Sequence, residues 1–399
     1  MKQIDFCNKT RLILAPDEHK KAGKYATELG NHVLIVYGGG SLKRSGALDA
    51  IETSLSQAGV SFTELGGVKG NPDIGLVRQG SRLCQEQKIN VILACGGGSV
   101  IDTAKGIAMG ALYDGDPWDF FQTGQQPQQA LPIGVVLTVP ASGSESSSGA
   151  VISCTDSNEK VLYGSEKIRP AFCIIDPTLF VTLPPQQTFT GVCDMMSHVL
   201  ERYFSHEPGC DLTDALCEAV IGTIIRSAKD VQRNPHDLTA WSNLALGANL
   251  AHNGTCGLGR EADWACHFME HAVSAFYPSV AHGAGLAVLT PAWMEYVYRE
   301  NVPEFSRFAH RMMQVPGDEE SEEAARAGIQ AFRDLLASFG LPASMSDLGI
   351  TDDSLFEKIA KSATYYDRAP AYCIGNLKKL SWQDVLAILH LAEKTCVQK

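Results

Sequence analysis

Apolar and polar positions follow two rhythms along this chain, and the change falls near residue 185. Before it, short β-branched apolar runs lead into turns: "HVLIVYGGG" (32–40), "VILACGGGSV" (91–100), "IGVVLTVPAS" (133–142) and "AFCIIDP" (171–177). Between the first two lie "SGALDAIETSLSQAG" and "DIGLVRQGSRLCQEQ", whose apolar residues recur at helical spacing. Continuous apolar strands flanked by such helices predict a parallel sheet covered on both faces. After "TLPPQQTFTG" (182–191), Ala, Leu, Glu and Arg dominate and helical periodicity continues to the end. The Pro184-Pro185 pair stops strand pairing and precedes the first long helix. The pattern therefore predicts an α/β domain over residues 1–185 and an all-helical domain over 186–399. The acidic stretch "GDEESEEAARAG" (317–328) reads as the solvated start of a surface helix.

Composition narrows the function classes. The 399 residues suffice for two domains, and 45% apolar with 20% charged residues is ordinary for a globular chain. A net charge of −12, with no basic cluster beyond pieces such as Lys378-Lys379, argues against a nucleic-acid or anionic-membrane surface. A small anionic cofactor stays compatible, because backbone amides and one or two lysines suffice to hold it. The N-terminus lacks a long apolar segment and no run approaches the ~20 residues needed to span a bilayer, so a cytoplasmic location is expected. Twelve cysteines at irregular spacing, without a C-x-x-C pair, read as reduced thiols that mostly pack the core. Cys95, Cys193 and Cys266 adjoin motifs of interest.

Three glycine-rich turns carry candidate chemistry. In "LACGGGSVIDTAKGIA" a buried strand runs into three glycines, a serine and a helix. The glycines admit close approach to the backbone, Ser99 is placed to cap the helix, and the first helical amides suit a pyrophosphate. The spacing departs from the G-x-G-x-x-G fingerprint. "YGGGSLK" (37–43) also follows a strand, where dinucleotide folds usually place an acid that accepts the adenosine ribose hydroxyls. Here Gly39, Gly40 and Ser41 stand with Lys43 and Arg44 nearby, which favours NADP(H) over NAD(H). "LTVPASGSESSSGAVIS" (137–153) reads as a loop that closes over a ligand.

The histidines give the sharper signal. Asp194 and His198 lie at i and i+4 and share a helix face; His267 and His271 repeat that spacing, and His282 follows a "YPSV" break. One carboxylate with several imidazoles on converging helices forms an N/O donor set for a divalent transition metal. Spacing leaves open whether His271 or His282 completes the set, and helix geometry alone favours His271.

Taken together, G-G-G-S-x-x-D-x-A-K, P-x-x-G-S-E, D-x-x-x-H, H-x-x-x-H and the following A-H-G resemble the iron-containing (group III) alcohol dehydrogenases across essentially the whole chain. The "YGGGS" turn and "ADWACH" lead-in are most similar to the branch of NADPH-dependent butanol dehydrogenases and broad-range aldehyde reductases. The NAD-dependent lactaldehyde and propanediol reductases carry an Asp at that turn. The resemblance implies a Rossmann-like parallel-sheet domain followed by an all-α domain, the dehydroquinate synthase-like fold. It implies metal ligands Asp194, His198, His267 and His282 for Fe2+ or Zn2+, and puts His271 beside the nicotinamide and substrate as a catalytic residue. Gly97, Gly98 and Ser99 match the pyrophosphate turn, with Asp102 close to the reacting end. Gly39, Gly40 and Ser41 match the 2′-phosphate region, and Asn71, Thr138, Gly149 and Lys160 match further cofactor contacts. Two stretches depart from the family pattern: Ser142-Gly143-Ser144-Glu145 stands where the family often reads T-x-G-S-E, with serine keeping a hydroxyl, and Val139 lacks the hydroxyl of the second residue in a Thr-Thr pair. The implied activity is hydride transfer between NADP(H) and a small aliphatic aldehyde or primary alcohol, in a homodimer. The competing readings are an NAD-linked diol or glycerol-type dehydrogenase of the same fold, and a non-catalytic metal and nucleotide sensor.

Overall fold

Among the described residues there are eight strands: β1 (Arg11–Leu14), β2 (His32–Tyr37), β3 (Ser61–Leu65), β4 (Val91–Gly96), β5 (Ile133–Leu137), β6 (Gly149–Cys154), β7 (Glu159–Gly164) and β8 (Phe172–Ile175). This is a computed structural model that describes residues 1–366 and 371–393. Six of the strands form one sheet in the order β1-β8-β5-β4-β2-β3, with every neighbouring pair parallel. β6 and β7 form a separate antiparallel hairpin. The four apolar runs seen in the sequence become β2, β4, β5 and β8, whose residues are buried almost throughout, as strands covered on both faces must be. The patterning passed over β1 and β3, which are edge strands with largely exposed or half-buried positions. It also passed over the β6–β7 hairpin, which starts at the end of the serine-rich stretch and runs on to Gly164.

Because β2, β4 and β5 are adjacent and parallel, the turns that follow them emerge at one edge of the sheet. Tyr37 is in register with Cys95 and Gly96 with Leu137. That carboxyl edge is where ligands of doubly wound sheets bind. The helices Ala47–Gln57 and Ile74–Gln87 occupy the segments expected to be helical.

The compact units interleave along the chain. One comprises Cys7–Leu183 with Arg233–Asn253; the other comprises Met1–Phe6, Pro184–Gln232 and Gly254–Lys399. The division at residue 185 expected from texture is simpler than this. The helix Leu238–His252 belongs with the sheet because Trp241 packs 5.8 Å from the Phe180 ring, and Asn249 Nδ2 donates to Glu145 Oε1 at 2.9 Å and Ser146 Oγ at 2.7 Å. Beyond Pro184 the regular elements among the described residues are helices, apart from one short bridge between Ile374 and Leu380. No described helix is long and apolar enough to cross a membrane.

Candidate metal centre and dinucleotide turns

The helix Pro185–Tyr203 begins on its paired prolines, and every residue from Thr188 to Tyr203 is buried. Asp194, His198 and Glu201 are therefore polar groups inside apolar packing, and each needs a partner. The helix Ala265–Phe276 supplies His267 and His271, and the helix His282–Val297 starts on His282. Gly283 permits this: a Cβ there would lie 2.0 Å from the Thr190 carbonyl oxygen, so only glycine lets the two backbones approach this closely.

These elements converge on Asp194 Oδ1. It lies 3.5 Å from His198 Nδ1, 3.6 Å from His267 Nε2 and 3.6 Å from His282 Nε2. The His198 and His267 rings stack with centroids 4.4 Å apart, and His267 and His282 are 5.3 Å apart. Donors at about 2.1 Å around a tetrahedral ion stand roughly 3.4 Å from one another. The observed spacing fits that and is too long for hydrogen bonds. Asp194 Oδ1 and His267 Nε2 are buried and have no hydrogen-bond partner. A cation answers both.

Two carboxyls that sequence reasoning missed set the imidazoles. Glu201 Oε2 contacts His267 Nδ1, and Glu270 Oε2 contacts His282 Nδ1; both glutamates are fully buried. Each carboxylate accepts a hydrogen bond from Nδ1–H, leaving the Nε2 lone pair for a cation beside Asp194. Their signal was present: Glu201 is three residues after His198 and Glu270 three after His267, so each shares a helix face with a candidate ligand. Burial by itself would depress the His267 pKa, but Glu201 and Asp194 overcome it and hold the ring at about 9. This is a site that asks for positive charge.

The "ADWACH" lead-in builds the wall. Trp264 adopts a left-handed φ of 64°, an uncommon and strained backbone for a bulky residue. Its ring meets His267 edge-on at 5.2 Å and His198 at 5.9 Å, with the Arg202 guanidinium 4.5 Å from its centroid. Asp263 accepts from the amides of Ala265, Asn376 and Leu377 at 3.0, 2.7 and 2.8 Å. Burial, and then Glu201, push its pKa up to about 6 against those bonds. His271, favoured by helix spacing alone, falls outside the group around Asp194. It lies instead with Glu270 and His282, its ring 5.4 Å from His282. The reason is geometric: His271 is one turn further along its helix, whereas the break after Tyr277 brings His282 back toward Asp194.

The expected cofactor residues all lie in the sheet unit. Gly39, Gly40 and Ser41 form the turn after β2, with Gly40 at φ 102° and open space above Gly39. Gly97, Gly98 and Ser99 join β4 to the helix Gly98–Gly110. Ser99 does not cap that helix. The N-cap is Gly97, without a side-chain bond, so the first amides are left for an outside acceptor. A Cβ on Gly97 would press Val139 at 2.9 Å and one on Gly98 would meet Ser142 Oγ at 2.5 Å. Thr138 follows β5 at the same edge, its amide bonded to Gly96 O at 3.1 Å. Asn71 sits at φ 54° in the loop after β3, Gly149 opens β6, and Lys160 on β7 pairs with Ser153.

The serine-rich stretch is pinned where sequence suggested a closing loop. Ser144 to Ser147 are buried, and fully buried Lys105 reaches Ser144 O and Oγ at 2.8 Å each, Ser147 Oγ at 3.2 Å and Gly149 O at 2.6 Å. Burial pulls the Lys105 pKa down to about 8 against Asp102 and Glu145. Asp102 accepts from Ser144 Oγ at 2.6 Å and the Val151 amide at 2.9 Å, so the structure gives it a task in holding this segment. Lys105 closes the G-G-G-S-x-x-D-x-A-K motif and had no role assigned from sequence, although it stands among buried apolar residues in mid-helix. Burial raises the thiol pKa values of Cys95, Cys193 and Cys266, as inert core residues require. Among the described residues every cysteine is free.

A family model described as iron-containing alcohol dehydrogenase matches residues 9–177, and its C-terminal counterpart matches residues 188–392. The NADH-dependent butanol dehydrogenase A of Clostridium acetobutylicum is 38% identical over 389 residues, covering 97% of this chain and 99% of the relative. The NADPH-dependent aldehyde reductase YqhD of Escherichia coli is 34% identical over 326 residues, covering 81% and 83%. The crystal structure of the NADH-dependent butanol dehydrogenase A of Thermotoga maritima superposes with a TM-score of 0.94 at 38% identity, covering 99% of each chain.

Proposed function

The chain belongs to the iron-containing alcohol dehydrogenase family, and we propose that it interconverts small aliphatic aldehydes and primary alcohols of the butyraldehyde–butanol type. It is an oxidoreductase of the metal-dependent, NAD(P)-linked alcohol dehydrogenase class. Asp194, His198, His267 and His282 would hold the cation, Fe2+ or Zn2+. The observation that carries this reading is the ring of three imidazole nitrogens at 3.5–3.6 Å around one buried carboxylate oxygen. When bound, a divalent ion there supplies Lewis acidity toward a carbonyl or alcohol oxygen, and the nicotinamide supplies or accepts the hydride.

The chain's own residues do the rest. Glu201 and Glu270 fix the tautomers of His267 and His282, so that neither ring must reorganise during turnover. Trp264 and the buried helix around Asp194 shield His198 and His267 from water. His271, whose ring neighbours His282, is assigned to carry the proton through a ring nitrogen. The amides at the start of the helix Gly98–Gly110 receive the pyrophosphate. The turn at Gly39, Gly40 and Ser41 carries no acid, so the NADP(H) preference read from the sequence depends on Lys43. Support is divided, since one relative named above is NADH-dependent and another NADPH-dependent. A cytoplasmic homodimer completes the proposal; the outer edge of β1, which among the described residues pairs with β8 alone, offers a backbone edge to a second copy.

The test is a panel of NADH and NADPH with butyraldehyde, against glycerol oxidation with NAD+, alongside metal analysis. His267→Ala should lose bound metal and turnover together. Normal turnover by metal-free His267→Ala protein would refute the proposal.

A further inference from the structure

The β2–β3 register pairs Ile35 with Glu64 and Val36 with Leu65, which sets Glu64 at the carboxyl edge beside the glycine turn after β2. Its side chain does not point idly into solvent. Glu64 Oε2 accepts from the Tyr37 hydroxyl at 2.7 Å and pairs with Lys43 Nζ at 2.9 Å. The Lys43 ammonium also lies 5.1 Å from the Tyr37 ring centroid. On the other side Glu52, from the helix Ala47–Gln57, faces Glu64; burial and then Glu64 raise its pKa. Lys43 and Tyr37 lower that of Glu64, which is therefore ionised at neutral pH.

In doubly wound folds an acid at the end of the strand next to the central one accepts the adenosine ribose hydroxyls and repels a 2′-phosphate. In this chain that strand is β2, and its own turn holds glycines. The neighbouring strand brings a carboxylate to the same edge and ties up the lysine on which NADP(H) recognition depends. The geometry points to Glu64 as the residue that sets cofactor choice: it accepts the ribose hydroxyls and withholds Lys43 from a 2′-phosphate, so that NAD(H) is used at least as readily as NADP(H). This rests on the dinucleotide reading above and works against the preference that the bare turn and Lys43 suggest on their own.

The test uses the full-length, metal-loaded protein. Calorimetric titration with 2′,5′-ADP and with ADP reads the adenosine half directly, and kcat/KM with NADPH and NADH reads the whole cofactor. Glu64→Gln keeps the size and the hydroxyl contacts but releases Lys43. It should tighten 2′,5′-ADP relative to ADP by about tenfold and move the NADPH/NADH ratio of kcat/KM by a similar factor. Adding Lys43→Ala to Glu64→Gln should erase that gain. Binding of both nucleotides with an unchanged ratio in Glu64→Gln overturns the role of Glu64 alone. No binding of either nucleotide to parent or variants overturns the dinucleotide reading, and this inference with it.

Discussion

Glu201 offers the sharpest test of how the metal centre is held. Its Oε1 accepts from the Cys266 amide at 2.6 Å and the His267 amide at 3.3 Å, while Oε2 contacts His267 Nδ1. All three neighbours are donors, so a carboxylate satisfies each and a carboxamide cannot. In Glu201→Gln the shape is kept, but the amide nitrogen must face a donor in either orientation. If it faces the imidazole, His267 is driven to the other tautomer, with its proton on Nε2 where the lone pair is needed. If it faces the helix amides, two buried N–H groups lose their acceptor. One such conflict in a buried site costs about 1–3 kcal/mol. Outer partners of metal-bound histidines are worth about 10–100-fold in metal affinity, which is the same range.

The expected result is therefore a 10–100-fold weaker Zn2+ affinity for Glu201→Gln, measured by competition with a chromogenic chelator. Circular dichroism and thermal unfolding with and without metal separate loss of the site from loss of the fold. A correctly folded Glu201→Gln protein binding Zn2+ within about twofold of the parent would refute the reasoning, because the tautomer argument leaves no room for it.

Two further substitutions probe the frame. Gly283→Ala places a Cβ against the Thr190 carbonyl at 2.0 Å, which backbone alone must relieve; the expected cost is about 3 kcal/mol with weakened metal binding, read by thermal unfolding and metal content. In the sheet unit, burial would raise the Asp176 carboxyl pKa, but donors from His19 and Thr178 outweigh it and hold it at about 2, against an ordinary 3.8. A depressed carboxylate stabilises the fold above its unfolded pKa and loses that contribution as pH falls toward the folded one. Asp176→Asn should thus cost about 2 kcal/mol at neutral pH and flatten the decline in stability between about pH 4 and pH 2. An unchanged acid limb in denaturant titrations would contradict it.

The parallel sheet was legible because β2, β4, β5 and β8 are buried on both faces, and burial on both faces leaves a continuous apolar run. β1 and β3 were not, since an edge strand owes its place to one neighbour and to pairing that no local pattern encodes. Asp194, His198 and His267 announced themselves by spacing along single helices. His282 did not: its approach to Asp194 depends on how one helix crosses another, which is decided by Gly283 against Thr190. Glu201, Glu270 and Lys105 were hidden for a different reason. A charged residue reads as surface unless something shows it buried, and their partners are brought in by separate elements. Glu64 joins that class, being visible as a neighbour of Lys43 only once β3 is laid beside β2.

The centre also distinguishes between two ways of neutralising buried acid. Asp194, Glu201 and Glu270 all sit inside the helical unit, and buried anions must be matched by positive charge. An imidazolium would serve, and the His267 pKa of about 9 shows how strongly the surroundings favour one. Yet a proton on His267 Nε2 could satisfy Asp194 only from about 2.7–3.2 Å. The helices hold the two atoms 3.6 Å apart, and they hold His282 Nε2 at the same remove. A shared proton cannot bridge that gap, while an ion between the donors serves all of them at once. The backbone has set a spacing that suits the proposed metal, and the outer carboxyls supply negative charge that would help to hold it there.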